Sequence, residues 1–140
     1  MIRLVVALAC EARPLIALYQ LEATGGGGAF RTFRSEEVSL VISGPGKEAA
    51  AAATRYLHSF CGGGRDRAWI NVGIGGHARY PVGQAVLAHK IMDSATSETF
   101  YPPLVIHRPC LTGEVLTVER PEDRYEGEAV YEMEAAGFYR

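Results

Sequence analysis

Uninterrupted apolar runs, short alternating segments and one alanine-rich stretch divide this chain into strands and helices. Residues 2–9, IRLVVALA, are apolar except for Arg3, the pattern of a strand covered on both faces. EARPLIALYQL (11–21) follows with helical spacing, placing Leu15, Leu18 and Tyr19 on one face and Pro14 within the first turn. TGGGG (24–28) is a turn, and residues 29–33 and 37–43 read as two strands joined by the polar RSEE. GPGKEAAAAATRYLHSF opens with glycines and runs into a helix of good formers, which CGGGRDR ends. AWINVGIGG is a further buried strand with a glycine-rich exit, and VGQAVLAHKIMD (82–93) is another strand. Residues 94–113, with Pro102, Pro103 and Pro109, are loop-like before GEVLTVE recovers a strand. A polar stretch, RPEDRYEGE, leads to AVYEMEAAGFYR, where Glu132 and Glu134 mark a helix entrance. Buried strands alternating with helices predict an α/β domain whose central sheet is mixed and mostly parallel, flanked by helices.

Composition narrows the partners. The 140 residues suit one domain, and a formal charge of −2 gives no long-range attraction to nucleic acid or anionic membrane. No apolar run approaches the ~20 residues of a bilayer span, and MIRLVVALAC is followed too soon by Glu11 and Arg13 for a signal peptide. Cys10, Cys61 and Cys110 are odd in number and far apart, which predicts reduced thiols in a cytoplasmic protein. His58, His77, His89 and His107 show no ligand spacing, so neither a metal nor a cofactor is expected.

Two glycine loops admit a ligand. GPGKEA (44–49) fits G-x-G-x-x-A between a strand and a helix, the setting of a dinucleotide fingerprint. Its acid, about 20 residues on, should end the next strand, whereas Asp66 precedes that strand and Pro45 stiffens the turn. GIGGHA (73–78) leads to another strand instead of a helix. Glycines that permit tight strand exits explain each loop equally well.

Taken in order, ALACEA, SGPGKEAAAAAT, INVGIGGHA, VGQAVLA and YEMEA resemble the purine nucleoside phosphorylase/uridine phosphorylase superfamily. The pattern is nearest to methylthioadenosine/S-adenosylhomocysteine nucleosidases. The resemblance implies cleavage of the N-glycosidic bond of a purine nucleoside or thionucleoside, without a cofactor, in a homo-oligomer. It implies that Glu11 activates water, that Glu134 accepts the ribose hydroxyls and that Met133 packs on the sugar. Ile74, Val115 and Leu116 fall near positions that line the base pocket. Such roles fit the chemistry, because a ribosyl cation needs a nucleophile on one face and held hydroxyls. Each residue also has a plainer reading: Glu11 and Glu134 as acids at helix starts, Met133 as core filling and His77 as a structural histidine.

Departures from the family pattern sharpen the expectation. The strand exit carries Asn71 and Ile74 where phosphorolytic relatives carry an arginine and a serine for phosphate. Water is therefore expected as the acceptor, with phosphate second. His77 stands where relatives carry glycine, and V-G-D has become V-G-Q at Gln84. Relatives continue beyond M-E-A to a serine–aspartate pair whose aspartate protonates the base, so the resemblance makes residues 1–140 an N-terminal portion. A catalytically inactive nucleoside-binding or oligomerising protein of the same fold is the alternative.

Overall fold

Ile2–Val6 forms β1 and Ala9–Leu18 forms α1 in the computed structural model, which describes residues 1–25, 28–60, 67–104 and 110–140. Short β2 (Glu22–Ala23), β3 (Arg31–Arg34) and β4 (Val38–Ile42) follow, then α2 (Lys47–Phe60) and β5 (Ala68–Val72). The second half contains β6 (Val86–Asp93), β7 (Thr99–Phe100), β8 (Leu111–Thr117), β9 (Val130–Glu132) and α3 (Ala135–Tyr139).

The expected single central sheet is two sheets. One has the order β2-β3-β4-β1-β5 and the other β7-β6-β8-β9, because β5 and β6 are not paired to each other. Both are mixed: β1 runs parallel to β4 and β5, and β8 parallel to β6 and β9, whereas β2, β3 and β7 attach antiparallel. The β6–β8 register shifts between Ala88 and Lys90, the mark of a bulge at His89. The sheets are joined where the chain leaving β5 meets β9: the Gly76 N–H donates to the Tyr131 carbonyl at 2.9 Å and the Tyr131 N–H returns the bond at 2.8 Å.

The apolar run of β1, interrupted only by Arg3, is explained by cover on both faces. Leu4 and Val6 pack with Ala12, Leu21, Val38 and Leu40, with Leu15 and Ile16 of α1 closing that layer. Val5 points the other way, into Val41 and the Ala53 and Leu57 of α2. A third cluster, Ile91, Val115, Ala135 and Ala136, seats α3 on the second sheet.

Several element expectations need correction. Helix α1 begins at Ala9, two residues before the expected start, so Pro14 lies in its second turn and the Cys10 carbonyl loses its usual i+4 donor. Leu18 and Tyr19 do not join the inward face, being 69% and 40% exposed. The two-residue strands β2 and β7 carry too few positions to show a period. Glu132 ends a strand instead of opening a helix, which starts only after Glu134. Among the described residues no helix is long and apolar enough to cross a membrane. Cys10 and Cys110 are free thiols, while Cys61, Asp66, His107 and Pro109 lie outside the described residues.

Candidate functional site

The carboxyl ends of parallel β1, β4 and β5 emerge together, where open α/β sheets usually hold ligands, and β9 ends beside them. The exits are tied by backbone bonds: the Ser43 N–H donates to the Val6 carbonyl at 2.8 Å and the Gly44 N–H to the Ala7 carbonyl at 3.0 Å. A cavity of about 570 Å³ opens between the two sheets. Its walls are β5 with its exit Gly73–Gly75, from the second sheet Val86, Ile91, Val115 and Glu132, and, just beyond β9, Glu134. The lining is largely apolar with a few polar groups, as small-molecule sites tend to be.

Glu134 stands in this wall, and its carboxylate is aimed. Its Oε1 accepts the Gly46 N–H at 2.8 Å, and Oε2 accepts the Met133 N–H at 3.3 Å. Gly44 and Gly46 have φ of +82° and +98°, left-handed values that glycine adopts without steric cost. The loop that resembles a dinucleotide fingerprint therefore presents its amide to an internal anion at the start of α2. A pyrophosphate would have to displace Glu134. In the second glycine loop, a β-carbon at Gly75 would meet Val130 of β9 and one at Gly76 the Tyr125 ring in the segment before β9, so close packing accounts for both glycines.

Glu11 is fixed from the opposite strand exit. Its Oε2 accepts the N–H of Leu8, the N-cap residue of α1, at 2.9 Å, and its Oε1 accepts the Ile74 N–H at 3.0 Å. This is half of a capping box, since the Leu8 side chain cannot reciprocate. Glu11 is not a lining residue, but it grips the backbone of Ile74, which is one. The two acids thus meet the same cavity wall, Glu134 directly and Glu11 through the β5 exit.

The remaining expected residues divide. Ile74 lines the mouth and is 75% exposed, and Val115 lines the interior. Leu116 is not among the lining residues, since neighbouring side chains on a strand point to opposite faces. Met133 is half-buried beside Glu134 without lining the cavity. His77 is a clamp: Nδ1 accepts the N–H groups of Arg79 and Tyr80, each at 3.1 Å, which leaves Nε2 to donate to the Glu128 carbonyl.

Sequence reading assigned Glu132 only to a helix entrance, and the structure gives it a larger part. Its Oε2 accepts the N–H groups of Glu134 and Ala135, each at 2.7 Å, while Oε1 receives the Thr117 hydroxyl. The same hydroxyl oxygen accepts the Ala136 N–H at 3.0 Å. Glu132 thereby supplies the cap that Glu134 does not give its own helix. An acid two or three residues before a small-residue run is the signal that could have found it.

Burial pushes the Glu132 carboxyl above its ordinary 4.5; the three donors oppose the shift and the neighbouring Glu134 charge adds to it. A carboxyl raised on folding stabilises fully below that ordinary value, and the contribution is lost as pH rises through the folded value. Glu132→Gln cannot titrate. The stability of the wild type relative to this variant should accordingly fall as pH rises through that window, measured by urea unfolding in a pH series. A difference that stays constant or grows with pH would refute this assignment.

No protein-family model matches the sequence, and no curated protein matches it. The three-dimensional comparison does find relatives. The crystal structure of 5′-methylthioadenosine/S-adenosylhomocysteine nucleosidase from Neisseria meningitidis, in complex with methylthio-immucillin-A, superposes with a TM-score of 0.79 at 20% identity. The match covers 98% of this chain and 77% of that one. The fold is that of a nucleosidase. Native futalosine hydrolase of Helicobacter pylori gives 0.78 at 13% identity, covering 98% and 78% of the two chains. The nucleosidase from Colwellia psychrerythraea, in complex with adenine, gives 0.74 at 21%, covering 98% and 74%. The nucleosidase fold expected from YEMEA and SGPGK is thus found, with its sheet in two parts.

Proposed function

We propose that the cavity binds a purine nucleoside or thionucleoside and that the chemistry it serves is hydrolysis of the N-glycosidic bond. The observation that carries this reading is the Glu134 carboxylate, oriented by the Gly46 amide and presented in the wall of a cavity that Glu11 flanks across the β5 exit. Glu134 would accept the ribose 2′- and 3′-hydroxyls, and its charge would favour the cation that develops at the sugar. Glu11, which does not line the cavity and is held by the Leu8 and Ile74 N–H groups, would orient a water and take its proton where that water reaches it past the β5 exit, with Ile74 at the mouth and Val115 within. Met133 would support the sugar only through a side-chain rearrangement, since it does not line the cavity. Asn71 and Ile74 offer no cation for phosphate, which favours water as the acceptor. The structural relatives, named as nucleosidases and a hydrolase, support the same reaction class.

A second reading, nucleoside binding without turnover, is favoured by one observation. The carboxylic acids among the described lining residues are Glu132 and Glu134, and both already accept backbone N–H groups. Neither is placed to hand a proton to a departing base, a contribution of about 10²–10⁴-fold.

Incubation with methylthioadenosine or inosine in phosphate-free buffer separates the two. Release of free base supports hydrolysis. A rise in melting temperature with nucleoside, but no base, supports the binder. The absence of both would overturn the nucleoside reading.

A further inference from the structure

A charged bracket lies behind the candidate site, away from the cavity. The Asp93 side chain is 0% exposed, and it receives the Lys47 ammonium at 3.0 and 3.1 Å, the Arg140 guanidinium at 2.8 Å and the Ala95 N–H at 2.9 Å. Burial alone would raise its carboxyl; the Ala95 N–H, Lys47 and the Thr96 hydroxyl together hold it below the ordinary value. Lys47 is the first residue of α2 and directly follows Gly46, the donor to Glu134. Arg140 is the residue that closes α3, the helix Glu134 opens. Asp93 therefore grips the element carrying Glu134 and the element carrying its hydrogen-bond donor. Neither Lys47 nor Asp93 lines the cavity.

We infer that Lys47 and Asp93 are positioning residues for the Glu134 carboxylate, setting its direction through the Gly46 amide. The inference rests on the nucleoside reading of the cavity. Neither lines the cavity, so an effect on affinity has to pass through a neighbour, and the Gly46–Glu134 bond is the hydrogen bond that links Lys47's own segment to the cavity wall. A merely structural ion pair would instead weaken the protein whether or not Glu134 had a carboxylate to aim.

The test is a double-mutant cycle on nucleoside affinity, measured by calorimetry with methylthioadenosine on a Glu11→Gln background so that the probe is not consumed. Lys47→Met should weaken binding about 10-fold or more, the scale of an ångström-level misplacement. With Glu134→Ala already present, which removes the acceptor that the Gly46 amide directs, the same change should matter by less than about twofold, because the coupling has nothing left to act on. Lys47→Arg, which keeps the pair with Asp93, should restore most of the affinity. Where Lys47→Met does not fold, Asp93→Asn carries the same cycle, since it keeps an acceptor for Ala95. Equal losses in both backgrounds, or unchanged affinity in Lys47→Met while Glu134→Ala weakens binding, would overturn the positioning role alone. If the parent does not bind, or Glu134→Ala binds as tightly as the parent, the nucleoside reading fails and the inference with it.

Discussion

Glu11→Gln is expected to lower base release by about 10²–10⁴-fold, the usual worth of a positioned general base, while the fold survives. The substitution is nearly isosteric. Glutamine can still accept one of the two N–H groups, from Leu8 or Ile74, that the carboxylate now accepts together. It loses the second bond and the charge at the start of α1, so stability should fall by about 1 kcal/mol. Activity and stability are thereby separable in one variant. Steady-state base release and a urea melt on the same preparation check the claim. A variant that is folded and as active as the wild type would leave Glu11 a helix cap and nothing more.

Gly137→Ala should be the most damaging small substitution, costing about 3 kcal/mol or more, at the upper end of overpacking. A β-carbon there would run into the backbone of Lys47, including its carbonyl. Backbone at a helix start cannot turn aside as a long side chain can. To relieve the collision α3 must move off α2, and α3 begins immediately after Glu134. Nucleoside affinity should therefore fall together with stability, as read by urea unfolding and calorimetry. An alanine variant with unchanged midpoint would show that the α2–α3 contact is looser than described.

Gly137 also shows where sequence reading reaches its limit. In EAAGFY it is one small residue among several, and nothing local distinguishes it from its neighbours. Its necessity comes from Lys47, far away in the chain. The elements that were legible, β1, β4, α2 and β5, are long apolar or alanine-rich runs whose period needs no partner to be seen. The shift in the start of α1 has a local cause, the Glu11 carboxylate reaching back to the Leu8 N–H. The division into two sheets has a non-local one, since no pattern within β5 or β6 states that they fail to pair.

The site follows the same rule. YEMEA and SGPGK carry the family resemblance because each is a contiguous motif, and the Gly46–Glu134 bond joins the two in space. Lys47, Asp93 and Arg140 come from three separate segments, so their meeting could be found only in three dimensions. Val115 and Leu116 are equally apolar in the sequence, and only the pleat of β8 tells which of the two faces the cavity.

The most direct measurement is a crystal structure of the Glu11→Gln protein soaked with methylthioadenosine. The account predicts the nucleoside in the cavity between the two sheets, with its ribose hydroxyls at hydrogen-bond distance, about 3 Å, from the Glu134 carboxylate. The residue at position 11 should face the anomeric carbon from the β5 side. A nucleoside bound elsewhere, or one in the cavity with its sugar turned away from Glu134, would contradict it.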